Sequence, residues 1–227
     1  MKNLTKILAF GGLVTFAATA GAEITGNVAM TSDYVWRGIS QTENSPAIQG
    51  GFDYSHESGF YAGTWGSNID ALGSIEIDLY AGFASETESG LAWDLGVISY
   101  QYPGDGAADA DTEEYYGSLG FDFGVASVEA GVAYSPEYFG ADDGVYTYLD
   151  AGIPLGEMFS LALHYGHTDV DVPVGPDFDY DDYSVGISTE QAGLGFDLTL
   201  TDTDISKAAC GGSTCDSTVV FTVSKSL

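Results

Sequence analysis

The residues with the clearest chemical character in this sequence are carboxylates that alternate with apolar side chains. In the segment Ser74–Ala84, Glu76, Asp78 and Tyr80 alternate with isoleucine and leucine. Successive side chains of a β-strand point to opposite faces, so this segment is predicted to be a strand with one apolar face and one acidic face. Acidic groups gathered on one face attract cations and repel anions. The spacing therefore predicts electrostatic selection of small ions or solutes.

About twelve segments of the chain repeat this alternation. The first runs from Ile24 to Trp36, and the third, Phe60–Ser67, is expected to direct Tyr61 and Trp65 outward. Long and short connections alternate between the segments, and aromatic residues collect near both ends of the predicted strands. No connection is long enough for a separate plug domain. A membrane-spanning helix needs roughly 18 consecutive apolar residues, and no such run follows residue 22.

This organisation predicts an all-β fold, a transmembrane antiparallel up-and-down β-barrel of about 12 strands with both termini on the periplasmic side. A soluble sandwich of amphipathic strands is the alternative, but its Greek-key connections are less regular in length. The two aromatic bands resemble the girdles at the two membrane–water boundaries. Barrels of about eight strands are filled by side chains and barrels of roughly 16–18 strands enclose an open channel, so an intermediate number favours a narrow passage.

If the apolar faces contact lipid, the polar faces line the lumen, and strand parity identifies the candidate channel-lining residues. They are Asp33, Arg37, Asp53, Glu76, Asp78, Tyr80, Asp94, Asp122, Glu129, Tyr148, Asp150 and Asp197. Their acidic bias predicts a pore that prefers cations. In the alternative interpretation, the interior is polar as in any barrel and the carboxylates are merely solvated. Arg37 is expected at the outer end of the first strand, either in a constriction or in an ion pair that ties a loop to the wall.

The first 22 residues are expected to be a cleaved signal peptide, because Lys2 and Lys6 precede an apolar run that ends in the small residues Ala20–Ala22. Residues 23–227 would then form the outer-membrane barrel. This mature chain carries all 34 Asp and Glu residues, and Arg37 is its single arginine. So acidic a chain lacks the basic face that nucleic-acid binding requires.

Cys210 and Cys215 are the two cysteines, and they lie in a segment rich in glycine, serine and threonine. In an exported protein this arrangement predicts a disulfide. A zinc site would need further ligands, which the sequence does not provide nearby. Neither a metal ion nor a cofactor is expected.

An enzyme is the alternative from a different class, because some barrels are hydrolases. Catalysis would need a nucleophile and a base on one face, within hydrogen-bond reach of each other. His164 and His167 have opposite parity and His56 lies at a short turn, so no catalytic residue is assigned. A non-conducting barrel that stabilises the envelope is a further alternative.

The segment Thr31–Asp70 resembles the TorF-type porin family, which consists of proteobacterial outer-membrane β-barrels. The match is tightest in S-D-Y-V-W-R-G-I-S-Q, followed by Q-G-G-F-D-Y and G-F-Y-A-G. The resemblance implies a channel in the bacterial outer membrane. Its expected partners are outer-membrane lipid and lipopolysaccharide, small solutes or cations, and the barrel-assembly machinery. Leu227 departs from the aromatic final residue that is common among barrel proteins.

Overall fold

The computed structural model describes residues 22–70, 72–103, 110–172 and 178–227. The predicted signal peptide, residues 1–22, lies outside these ranges except for its last residue. The elements of the described chain are β1 (Glu23–Thr31), β2 (Val35–Trp36), β3 (Ile39–Ser40), β4 (Ala47–Ser55), β5 (Phe60–Asn68), β6 (Ile75–Glu86), β7 (Leu91–Gln101), β8 (Thr112–Asp122), β9 (Ser127–Ser135), β10 (Gly144–Leu155), β11 (Phe159–Val170), β12 (Phe178–Gln191), β13 (Leu194–Thr203), α1 (Lys207–Cys210) and β14 (Thr218–Ser226).

Twelve of these strands, β1 and β4 to β14, form a closed barrel in which each strand pairs with its neighbours in the chain. All pairings are antiparallel, and β14 closes the ring on β1 with Asn27 opposite Ser226. The predicted antiparallel barrel of about 12 strands is therefore confirmed. No helix within the described ranges is long and apolar enough to cross a membrane.

The two faces of the barrel wall differ sharply in polarity. Large apolar side chains of one parity point outward, for example Phe52 and Met30, both 64 % exposed. Acids of the other parity point inward, for example Asp53 at 5 % and Glu76 at 2 % exposed. This wall is apolar outside and polar inside, the reverse of a soluble domain, and it suits a surrounding of hydrocarbon.

Short connections lie at one end of the barrel, the turn end, and longer ones at the other, the loop end. The connections at residues 56–59, 87–90, 123–126, 156–158 and 192–193 are the short ones. In the shortest, Ala192 and Gly193 both have positive φ, as the twist of a two-residue hairpin requires. The start of β1 and the end of β14 both lie at the turn end, where the backbone of Leu227 bonds to Gly26.

The predicted extension of the first strand to Trp36 is wrong, because β1 ends at Thr31. The chain then forms a two-stranded hairpin, β2 and β3, in which Trp36 pairs with Ile39. Its turn residues, Arg37 and Gly38, have φ values of 45° and 77°. The left-handed conformation of Arg37 is strained and must be held by surrounding contacts.

The connection at residues 204–217 contains α1 and a disulfide between Cys210 and Cys215. The backbone carbonyl of Thr214 accepts a hydrogen bond from the amide of Ser40 in β3 at 2.8 Å. The disulfide-closed connection therefore bonds directly to the hairpin.

Candidate functional site

The connection between β1 and β4, residues 32–46, folds into the barrel and is called the inward loop. The hydroxyl of Tyr34 donates to Glu76 on β6 at 2.6 Å. Arg37 donates to Glu114 on β8 at 2.8 Å. Because β8 lies almost opposite β1 in the ring of strands, the inward loop crosses the lumen near the loop end.

The tip of the inward loop fits closely against the wall at β12 and β13. A Cβ placed on Gly38 would lie 2.3 Å from Thr203 Cγ2 and 2.9 Å from Asp182 Cβ, on β13 and β12. Glycine at this position therefore satisfies both the positive φ and the close approach.

Arg37 is the centre of the contacts that hold this loop. Its side chain is 8 % exposed and that of Glu114 is 3 % exposed, so the ion pair is buried. The guanidinium lies 4.2 Å from the ring centroid of Trp36 and 4.0 Å from that of Tyr146 on β10. Burial by itself would lower the pKa of Arg37, but the charge and hydrogen bond of Glu114 together with Tyr138 and Tyr100 outweigh burial and raise that pKa well above its usual value. The side chain is therefore a permanent cation between two aromatic rings.

An aromatic cluster, called the mouth cluster, fills the loop end beside Arg37. Its buried members are Ile69, Tyr100 and Tyr102. Trp36 and Phe139 pack against them with their ring centroids 5.5 Å apart. Together with the inward loop, the mouth cluster narrows the loop end of the lumen.

Further into the lumen, acids are paired with tyrosine hydroxyls from neighbouring strands. Tyr61 on β5 donates to Asp94 on β7 at 2.7 Å. Tyr148 donates to Glu129 at 3.0 Å. Tyr80 donates to Asp53, and a donor of this kind stabilises the charged form of each carboxylate.

These tyrosine rings lie flat on the wall because the facing position is a glycine. A Cβ on Gly131 would lie 2.3 Å from Tyr148 Cζ, and one on Gly63 would lie 2.5 Å from Tyr80 Cζ. In both cases the glycine is directly opposite the tyrosine in register. The glycines thereby keep the rings out of the centre of the lumen.

His164 on β11 is held between two acids. Its Nδ1 lies 2.6 Å from Asp150 Oδ1, and its Nε2 lies 2.9 Å from Asp182 Oδ1. Nε2 also lies 2.8 Å from the hydroxyl of Tyr146. When both carboxylates are ionised they only accept, so hydrogen bonds to both of them require both ring nitrogens to donate, as in the imidazolium form. His167 instead lies on the outer wall beside Asp181. His164 is therefore a fixed inward cation with no free nitrogen to act as a base.

The remaining predicted lining residues lie at different depths. Asp33 belongs to the inward loop and accepts from the hydroxyls of Ser40 and Thr42, so it shapes the loop. Asp122 lies at the turn end, where it accepts from the amide of Gly124. Asp197 faces inward on β13 and accepts from the neighbouring Thr199 hydroxyl at 2.8 Å.

The expected outward orientation of Tyr61 and Trp65 is wrong. Tyr61 is 3 % exposed and bonds to Asp94 inside the barrel. Trp65 packs edge-on against Tyr34 of the inward loop, with the ring centroids 5.3 Å apart. Across Phe60–Ser67 both parities carry aromatic and small residues, so the lipid-facing parity was misassigned. The sequence signal for the inward parity is the serine at position 67, which shares the parity of Tyr61.

No group of three or more His, Cys, Asp or Glu side chains in the described part of the chain is arranged to hold a metal ion.

The contacts described above form a site with two parts: a narrowed mouth with one buried ion pair, and below it a lumen lined by tyrosine-paired carboxylates.

The fold is similar to that of solved outer-membrane porins. The NanC porin superimposes with a TM-score of 0.58 at 8 % identity, covering 89 % of this chain and 98 % of that one. The KdgM porin gives a TM-score of 0.58 at 8 % identity, covering 89 % and 96 %. KdgM has also been solved in complex with disordered oligogalacturonate, with a TM-score of 0.57 at 7 % identity and the same coverage. At these identities the likeness concerns the fold alone.

No curated protein matches the sequence significantly. The sequence profile of one bacterial family matches residues 16–227, which is most of the chain. The chain therefore belongs to Gcw_chp, a family described as "Bacterial protein of unknown function".

Proposed function

We propose that this barrel is a porin-like channel of the bacterial outer membrane that passes small solutes and favours cations. The observation that carries the proposal is the inward placement of many carboxylates in a closed barrel whose outer wall is apolar. Among the described residues, Arg37 and His164 are the cationic side chains that face them. Such a lumen raises the local cation concentration and excludes anions.

The location follows from the same proposal. Residues 1–22 would direct export, and the barrel-assembly machinery would insert residues 23–227 into outer-membrane lipid beneath lipopolysaccharide. The resemblance to TorF-type porins supports this location. An acidic saccharide such as the oligogalacturonate bound to KdgM would meet like charge in this lumen, so we do not extend that ligand to this chain.

Reversal potentials in a potassium chloride gradient across planar bilayers test the cation preference. Asp197→Asn removes one inward charge and Asp202→Asn, on the outward face of the same strand, is the matched control. At about 7 Å in screened water one charge changes a local ion concentration by somewhat less than a factor of two. The potassium-to-chloride permeability ratio should therefore fall about two- to threefold in Asp197→Asn and stay unchanged in Asp202→Asn. A wild-type barrel that prefers chloride would refute the proposal.

A non-conducting structural barrel is the second candidate, and the mouth cluster with its buried Arg37–Glu114 pair favours it. Planar bilayers distinguish the two candidates, provided that heat-dependent gel mobility shows the inserted protein to be folded. Folded protein without conductance steps would support the structural barrel. A barrel hydrolase has no comparable support, because both nitrogens of His164 are occupied.

A further inference from the structure

One inward-facing acid differs from the other buried acids. The others are Asp33, Asp53, Glu76, Asp94, Glu114 and Asp182, and each accepts a hydrogen bond from a neighbouring side chain. Asp78 is 6 % exposed, and its Oδ1 has no hydrogen-bond partner among the described residues. Oδ2 of Asp33 and Oδ2 of Asp182 also lack a partner, but the other oxygen of each of these carboxylates accepts from a side chain. A buried carboxylate without compensation is strongly unfavourable. The exception therefore points to a missing partner.

The neighbours of Asp78 are aromatic. In register it lies opposite Trp65 on β5 and Tyr100 on β7. Side chains directly opposite each other on one face have their Cβ atoms about 4.5–5.5 Å apart. Tyr34 of the inward loop packs against Trp65 from the lumen side, with the ring centroids 5.3 Å apart. The Asp78 carboxylate is thus flanked by rings.

The neighbouring acids do not need a further cation. Glu76, two residues along β6 on the same inward face, accepts from the hydroxyls of Tyr34 at 2.6 Å and Tyr102 at 2.9 Å. Glu114 is paired with Arg37. Asp78 therefore remains as the buried inward acid that no described side chain compensates, and a single monovalent cation would be enough to pair with it.

We propose that Asp78, Trp65 and Tyr100 form a lumenal binding site for a small organic cation, whose alkylammonium group pairs with the carboxylate and contacts the rings. The ammonium charge compensates Asp78, and its alkyl groups suit the faces of Trp65 and Tyr100. The biological role of this site rests on the proposed channel, because the site would lie on the path of a passing solute. Binding itself can be measured without conduction.

A divalent metal ion fits this site less well. Calcium takes about six to eight oxygen ligands and magnesium an octahedral set. The register neighbours of Asp78 are instead aromatic, and no metal-holding group of acids or histidines occurs in the described ranges. An alkali ion would compensate the charge but would leave the aromatic walls without a role, so an alkylammonium group is the better partner.

Saturation-transfer NMR on the full mature barrel in detergent micelles tests the site, with tetramethylammonium chloride as the probe and tert-butanol as its neutral counterpart. Tetramethylammonium should bind saturably to the wild type, and tert-butanol should not. Asp78→Asn should weaken binding about tenfold, the loss expected for one charged partner. Trp65→Leu should weaken it about threefold, and Trp93→Leu, the same change on the outward face of β7, should leave it unchanged.

Several results would overturn the site. These are absence of tetramethylammonium binding, equal binding of tert-butanol, equal binding by the wild type and Asp78→Asn, and complete displacement by an equal concentration of potassium chloride. If Asp78→Asn does not fold, the pair Trp65→Leu and Trp93→Leu decides: equal binding by both refutes the proposal. Planar bilayers separate the two proposals. Binding without conductance refutes the channel alone, and cation-selective conductance without binding refutes the site alone.

Discussion

Removing the guanidinium of Arg37 should open the mouth of the barrel while leaving the barrel itself folded. Arg37→Met keeps much of the side-chain volume but deprives Glu114, which is 3 % exposed, of its charge partner. Glu114 then keeps only the weaker hydrogen bond from Tyr100 at 3.2 Å. Breaking a buried ion pair by removing one partner costs about 3–5 kcal/mol, because the other charge remains buried.

This cost should appear in the inward loop, because the barrel strands are held by their own backbone hydrogen bonds. The amide of Gln41 donates to Tyr34, and the amide of Asp70 donates to Gln41 at 2.8 Å. In Arg37→Met, hydrogen exchange at these two amides should accelerate roughly a hundredfold or more. Strand amides should keep their protection, and single-channel conductance should rise.

Two further variants test whether the Arg37–Glu114 ion pair is what holds the inward loop in place. Arg37→Met combined with Glu114→Gln removes both charges, so it should be less destabilised than the sum of the single variants, by about 0.5–3 kcal/mol. Lys207→Met removes a cation from an ion pair whose lysine is 79 % exposed, and it should change neither exchange nor conductance. Two results would refute the ion pair as the contact that holds the loop. One is that the destabilisations of the two single variants simply add in the double variant, and the other is an unchanged exchange rate at Gln41 in Arg37→Met.

Two other perturbations test the wall and the loop end. Gly131→Ala places a Cβ against the ring of Tyr148 and should push that ring into the lumen, which lowers single-channel conductance. Adding Tyr148→Ala should restore the conductance. Unchanged conductance in Gly131→Ala would contradict the packing of the ring against Gly131. Replacing both Cys210 and Cys215 by serine should lower the free energy of unfolding by about 2 kcal/mol, the chain-entropy value for so short a loop. Urea unfolding in micelles measures this difference, and reduction of the wild type should reproduce it.

Strand parity is readable from the sequence because the outer wall is restricted to apolar side chains. Along β6 the outward positions from Ile75 to Phe83 are all apolar, so the inward orientation of Glu76, Asp78 and Tyr80 follows from the alternation. Along β5 the rule is ambiguous, because glycine and alanine alternate with aromatic residues on both faces. The orientation of Tyr61 was therefore misassigned. Parity identifies inward residues only where one face is clearly apolar.

The inward loop could not be derived in the same way. Its path depends on contacts between residues far apart in sequence, such as Arg37 and Glu114, which are 77 positions apart. Tyr34 and Trp36 continue the apolar parity of Val28 and Met30 in β1, so periodicity extends the strand across the point where the chain turns inward. Gly38 is a local turn signal, but the direction of the turn depends on contacts with β8, β12 and β13.

The tyrosines determine what the inward acids contribute to the electric field. A hydroxyl donor carries no charge of its own, so Tyr61, Tyr80 and Tyr148 cannot neutralise the acids they bond to as a cation would. Arg37 and His164 do offset charge, because they pair with Glu114, Asp150 and Asp182. In the proposed channel, changes at Arg37 should therefore alter how much flows through the narrowed mouth, whereas changes at the acids without a cationic partner should alter which ions flow.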